Sequence, residues 1–280
     1  MRKSIAIIIT SILVLSGCNK QQSVSDRLLN EVEKAIAINP DSASNLLKSI
    51  SSPEKLDDKA FARWCMLSGK ITDEIFNSIL PTYQLERAYD WYSSHGSPDE
   101  QVQILIYLGR SYFADGDYDK AMSIYTNALD IAGKNKLNNL IGYTYDYIGD
   151  LYREKFMRTE AIKRYEIAAE YFKKEKNTDS YACALRDIGR EYAQMDSLSH
   201  ALNILIIADS VAANTSNINV TASINNALGN IYSMQNKYDK AEEYLLKALL
   251  TGREKMPDYV ALIDLYTASN SINKAKELLS

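Results

Sequence analysis

The chain has two histidines, His95 in Ser93-Ser94-His95-Gly96 and His200 before Ala201. Neither has a second histidine or a cysteine at metal-ligand spacing. Ser68-Gly69-Lys70-Ile71 ends as a phosphate-binding loop does, but Trp64 stands where the first glycine belongs and Ile71 replaces the hydroxyl. No Gly-x-Ser-x-Gly elbow and no dinucleotide fingerprint is present. Asp146 and Asp150 form an acid pair at helical spacing, and on a repeated scaffold such a pair reads as part of an ion-pair ladder rather than as a catalytic dyad. The expectation is a protein that is not an enzyme and uses neither metal nor cofactor. What does recur is charge in register. Lys70, Arg110, Asp150, Arg190 and Asn230 stand at 40-residue intervals, and Asp264 continues the column. Arginine forks grip carboxylates, and asparagine amides hold a peptide backbone at both donor and acceptor. That is the chemistry of recognition.

The elements that position this column are equally periodic. Gly109, Gly149, Gly189 and Gly229 are each preceded by Leu or Ile (Leu108, Ile148, Ile188, Leu228). Each is followed three residues later by Tyr112, Tyr152, Tyr192 or Tyr232. Alanines at 121, 161, 201 and 241 come next, then Tyr125, Tyr165, Leu205 and Leu245, then alanines at 128, 168, 208 and 248. Spacings of three and four place each set on one helical face. The glycine removes a Cβ where a second helix must approach, at a cost in helix propensity of about 1 kcal/mol. Turns such as Ala114-Asp115-Gly116-Asp117 separate the two helices of a unit. Each unit is therefore a helix hairpin with an apolar face that its neighbour covers.

This frame resembles the tetratricopeptide repeat, with its Leu-Gly-x-x-Tyr and Ala-x-x-x-Phe/Tyr-x-x-Ala pattern. The resemblance implies an all-α, right-handed superhelical solenoid of antiparallel helix pairs, here mostly with 40-residue repeats whose extra length should extend both helices. Four clear units occupy 101–252. Residues 26–100 form degenerate helix pairs, with Gly69, Leu85 and Ala88 in frame, Pro81 replacing an alanine, and a break at Asn39-Pro40-Asp41 where Asp41 or Ser42 caps the next helix. Residues 253–280 form a partial unit in which Leu262, Tyr266, Ala275 and Leu279 fit. In tetratricopeptide proteins the first helix of each unit lines the concave face. Carried onto this chain, the resemblance names Arg110, then Tyr143, Asp146, Asp150 and Arg153, then Arg186 and Arg190, then Asn226 and Asn230 as a stripe for a peptide or protein partner. Two readings compete for it. Arg110 with Asp150, Asp150 with Arg190 and Asp146 with Arg186 pair across neighbouring helices, or the arginines and asparagines grip a ligand. Asn226 and Asn230, with no evident structural need to be amides, favour the second.

Residues 1–17 read as a signal peptide, with Arg2 and Lys3 ahead of an apolar run over 5–15 that is too short to span a bilayer. Leu15-Ser16-Gly17-Cys18 resembles the lipobox of bacterial lipoproteins, which implies acylation of Cys18 and a short tether over 18–25. With no acidic cluster after Cys18, the expected location is the cell envelope of a Gram-negative bacterium, facing the periplasm, with the outer membrane favoured. Cys65 and Cys183 lie too many repeats apart for a disulfide and read as small buried residues. The chain is 46% hydrophobic and 24% charged, and its formal charge of −4 loses two further cations with the leader. Such a chain suits a folded domain and argues against nucleic acid as partner. The functional expectation is a membrane-anchored scaffold for a peptide or protein. The alternatives are an assembly factor for outer-membrane proteins or pili, the sensing part of a signalling system and, less favoured, a glycan-capture lipoprotein.

Overall fold

The computed structural model describes residues 25–75, 79–252 and 255–278. Among these, all regular structure is helical. The leader, Cys18 and most of the tether lie outside the described residues, as does Leu279. The chain divides into two compact units, one ending at Ile131 and the other beginning at Ala132.

The first unit holds α1 (25–36), α2 (Pro40–Lys48), α3 (Asp58–Ile75), α4 (Thr82–His95), α5 (Pro98–Ala114) and most of α6 (Tyr118–Lys134). Its first core joins Leu29, Val32, Ala43, Leu47, Leu67 and Ile71. The cap of α2 is Asn39, not Asp41 or Ser42: its Oδ1 accepts from the Ser42 N–H at 2.9 Å. Proline lacks the N–H that a first-turn residue leaves unused, so Pro40 takes the first helical position and pushes the cap one residue earlier. Pro81 likewise sits at the N-cap of α4. Ser97 and Glu100 close a capping box on α5.

The second unit holds α7 (Asn138–Glu154), α8 (Arg158–Lys174), α9 (Thr178–Gln194), α10 (Leu198–Ala212), α11 (Ile218–Met234), α12 (Tyr238–Thr251), α13 (Met256–Ala268) and α14 (Ile272–Leu278). Helices of 17 residues and three-residue turns account for the 40-residue period from α5 to α9. Several of these turns hold their middle residue in the left-handed region, at φ of 55–58° for Lys136, Phe156, Lys176, Asp196 and Asn236. The next residue then donates back to the repeat tyrosine's carbonyl: Met157 to Tyr152, Ser197 to Tyr192 and Lys237 to Tyr232, each at 2.9 Å.

The repeat alanines at 161, 168, 201, 208, 241 and 248 are fully buried. A Cβ built on Gly149 would stand 2.5 Å from Cε1 of the buried Tyr165, and one on Gly189 would stand 2.8 Å from Cγ of Leu205. These close approaches are why glycine recurs. Leu185, Ile188, Leu205, Leu228 and Ile231 build the central core, and Leu262 and Tyr266 extend packing onto the last pair of helices.

Candidate functional site

First helices of successive hairpins bring most of the expected stripe together in the second unit. From α7 come Tyr143, Asp146, Asp150 and Arg153. From α9 come Arg186 and Arg190, and from α11 come Asn226 and Asn230. Arg110 belongs to the first unit, where Asp73 pairs with it.

The partners differ from the expected ladder. Asp150 accepts from the Tyr165 hydroxyl at 2.8 Å and pairs with Arg153 of its own helix at 2.7 Å, not with Arg190. Arg186 turns its fork onto the adjacent Asp187, Nε to Oδ1 at 3.0 Å and Nη2 to Oδ2 at 2.7 Å, not onto Asp146. Its Nη1 donates to Ser223 Oγ at 2.9 Å. Arg190 reaches Asp187 only at 3.5 Å and keeps 43% of its side-chain surface exposed. Asp150–Arg153 and Asp187–Arg190 are three residues apart on one helix, a spacing that brings side chains together without a neighbouring repeat. Tyr143 is also engaged, its hydroxyl accepting from Asn177 Nδ2 at 3.1 Å and Ser180 Oγ at 2.9 Å.

The asparagines do have a structural role. Asn226 is buried and donates to Asp258 Oδ1 at 2.7 Å, while Asn230 donates to Asn226 Oδ1 at 3.0 Å. Asn226 thus gives an N–H to Asp258 and its carbonyl to Asn230. Burial raises the Asp258 carboxyl above its ordinary value, and its Oδ2 is sealed with no hydrogen-bond partner. Asn230, at the exposed end of this relay, keeps its own carbonyl and one N–H for the groove.

Burial and repulsion from Asp150 and Asp187 raise the Asp146 carboxyl well above its ordinary value. Its Oδ1 is sealed from solvent with no hydrogen-bond partner. Burial likewise pushes Asp150 up to about 6, against the attraction of Arg153. Arg186 holds Asp187 below the ordinary range despite burial. Burial, then the Arg186 guanidinium, pushes Arg190 down to about 10, although it remains a cation at neutral pH.

Of the expected stripe, Arg153, Arg190 and Asn230 line a groove of about 810 Å³, together with Asp187, Phe156, Ile231 and Met234. Tyr143, Asp146, Asp150, Arg186 and Asn226 are not among its lining residues. Arg158 stands at its edge, 2.9 Å from the nearly inaccessible carboxylate of Glu191. Among the described residues, no group of three or more His, Cys, Asp or Glu is arranged to hold a metal ion.

Asp187, Glu191 and Asp258 escape a reading confined to the stripe. A signal for the first two was present. Asp187 stands where the frame elsewhere has Tyr107, Tyr147 and Ala227, and Glu191 where it has Ser111, Leu151 and Ile231. Two carboxylates replacing core residues on one helix need buried cations, and Arg186 and Arg158 supply them.

Fold and sequence comparisons point the same way: the helix pairs of this chain are similar to tetratricopeptide repeats. Tetratricopeptide repeat models match residues 105–138 and 221–256. The Photosystem I assembly protein Ycf3 of Rippkaea orientalis is 32% identical over 91 residues, covering 32% of this chain and 52% of that protein. The match thus spans about half the length of that relative. Among solved structures, the fold is similar to a Rap protein complexed with Competence and Sporulation Factor, with a TM-score of 0.75 at 19% identity over 92% of this chain and 75% of that one. It is also similar to BtubC (BKLC) from P. vanneervenii, with a TM-score of 0.60 at 19% identity over 70% of this chain and 86% of that one.

Proposed function

We propose that this protein is a lipid-anchored scaffold that binds a peptide or protein segment in the groove of its second unit. The carrying observation is the groove itself, where the incompletely paired Arg190 and the outer end of the Asn226–Asn230 relay face one space. Arg190 offers charge-assisted donors to a carboxylate or backbone carbonyl. Asn230 offers a carbonyl to a backbone N–H. A Rap protein of similar fold has been crystallised complexed with Competence and Sporulation Factor, which supports a bound partner in such a solenoid. The attachment we propose is acylation at Cys18, supported by the Leu15-Ser16-Gly17-Cys18 tetrad. The site then faces the periplasm, and the outer membrane is the favoured leaflet. An assembly role is the second reading, favoured by the relative named as a Photosystem I assembly protein.

The test is selection of a displayed library of short random peptides on the full chain in detergent, followed by calorimetric titration of an enriched peptide. Arg190→Ala and Asn230→Ala should each weaken that peptide roughly tenfold, or ~1.4 kcal/mol. Unchanged affinity in both variants would move the binding surface off this groove.

A further inference from the structure

At the mouth of the same groove stands a side chain that the fold does not require. Phe156 is the middle residue of the turn between α7 and α8, with φ at 57°. Sister turns place Gly116, Asp196 and Asn236 at that step of the frame, each also at positive φ. Glycine, asparagine and aspartate tolerate this conformation because they lack a bulky Cβ substituent or can bond their own backbone. Phenylalanine has neither advantage and is an outlier there. Burial does not compensate it, since the side chain is 79% exposed. A bulky residue held at positive φ with its ring exposed is the kind of backbone outlier that clusters at binding sites.

Its surroundings hold the ring in place. The Arg158 guanidinium carbon lies 5.3 Å from the ring centroid, and Arg158 is fixed on its other side by Glu191 at 2.9 Å. The Glu191 side chain is only 2% exposed, so a buried carboxylate anchors the cation that braces the ring. Ile231 and the half-exposed Met234, an unbranched side chain able to adapt to what it meets, line the same groove. Arg153 and Arg190 border the same space. The lining also carries Glu154, Asp187, Glu191 and Asp264, but Arg158 takes Glu191 and Arg186 takes Asp187. The incompletely paired, 43% exposed Arg190 is thus a cation left facing the apolar side chains.

We infer that Phe156 is the anchor of the groove, stacking on a large apolar side chain of a peptide whose neighbouring carboxylate meets Arg190. This rests on the peptide-binding reading above and specifies the ligand's chemistry. A ring held at the mouth contributes contact area with few rotamers to immobilise, as expected of a dominant binding residue. The register supplies the most informative variant. Phe156→Asn installs the residue found at position 236, so backbone relief and loss of the anchor are read separately.

Phe156→Asn should keep or raise the melting temperature, whereas a structural role would lower it. Displayed peptides selected on the unmutated full chain should carry a large apolar residue at a fixed distance from an acidic one. Selected on Phe156→Asn, they should lose the apolar preference and keep the acidic one, and an unmutated-chain peptide should bind at least tenfold more weakly. Phe156→Leu, which keeps an apolar side chain in the same strained turn, should retain part of the preference. Persistence of the apolar preference in Phe156→Asn overturns the anchor and leaves the groove reading standing. Failure of the unmutated chain to enrich any peptide takes both readings down together.

Discussion

Asp146 is surrounded by charge without being satisfied by it. Asp150 and Asp187 repel its carboxylate, Arg186 and Arg153 attract it, and its sealed Oδ1 meets no donor. A carboxyl raised above its ordinary 3.8 takes up its proton in the folded state before the unfolded one does. Stability therefore falls as pH rises from about 4 through the folded pKa, which for Asp150 is about 6, and stays lower above it. Asp187 is shifted the other way, and its contribution is lost only in more acidic solution. Melting temperature should accordingly rise between pH 7 and pH 5. Asp146→Asn, which keeps shape and removes a buried titrating group, should show a flatter pH profile; a profile as steep as that of the unmutated chain would refute this account. The two asparagines make a second residue-level contrast. Asn226→Ala strips buried Asp258 of its donor and should cost about 1–3 kcal/mol. Asn230→Ala removes one bond at the groove edge and should stay within about 0.5 kcal/mol. Equal losses in denaturant titration would mean that Asp258 does not depend on this relay.

At the level of elements, small residues set how closely helices meet, and two glycines separate packing from propensity. Gly149 faces the Tyr165 ring, so Gly149→Ala forces a Cβ to within 2.5 Å of a buried aromatic carbon and should destabilise by about 1–3 kcal/mol. Gly133 is also helical, yet its added Cβ would meet nothing within 4 Å. Gly133→Ala should be neutral or stabilising by up to about 1 kcal/mol, because only helix propensity changes. Thermal denaturation of the pair checks the contrast, and destabilisation at both positions would put the helix axes farther from the observed packing. The same logic explains why the hairpins were legible in the sequence. Glycine, tyrosine and alanine each do one geometric job per repeat, so their spacing carries the pairing directly. Charge has no such periodic constraint. The stripe names Asp150, Arg186, Arg190 and Asn226, but Asp187, which takes Arg186, and Asp258, which takes Asn226, lie off it. Phe156 escapes the repeat pattern altogether, and its significance comes from the left-handed φ and its exposure.

For the whole molecule, the question is what holds the scaffold where its partner is. A formal charge of −4 supplies no overall attraction to an anionic bilayer, and the attachment we propose is a covalent lipid. Each buried methylene of a lipid contributes about 0.8 kcal/mol, and more than one chain is needed for durable anchoring. The Leu15-Ser16-Gly17-Cys18 tetrad offers a single position for that chemistry, just before the short polar stretch that leads into α1. Cys18→Ser leaves no thiol to acylate at that position. Expressed in a Gram-negative host, the unmutated chain should fractionate with membranes after high-salt washing and show the mass of an acylated N-terminal peptide. The variant should lack that modification and enter the soluble fraction, while its far-ultraviolet circular dichroism stays helical because the substitution lies ahead of the first described helix. Retention of the variant on washed membranes would place the attachment elsewhere on the chain, and the groove would then have to be considered together with that second surface.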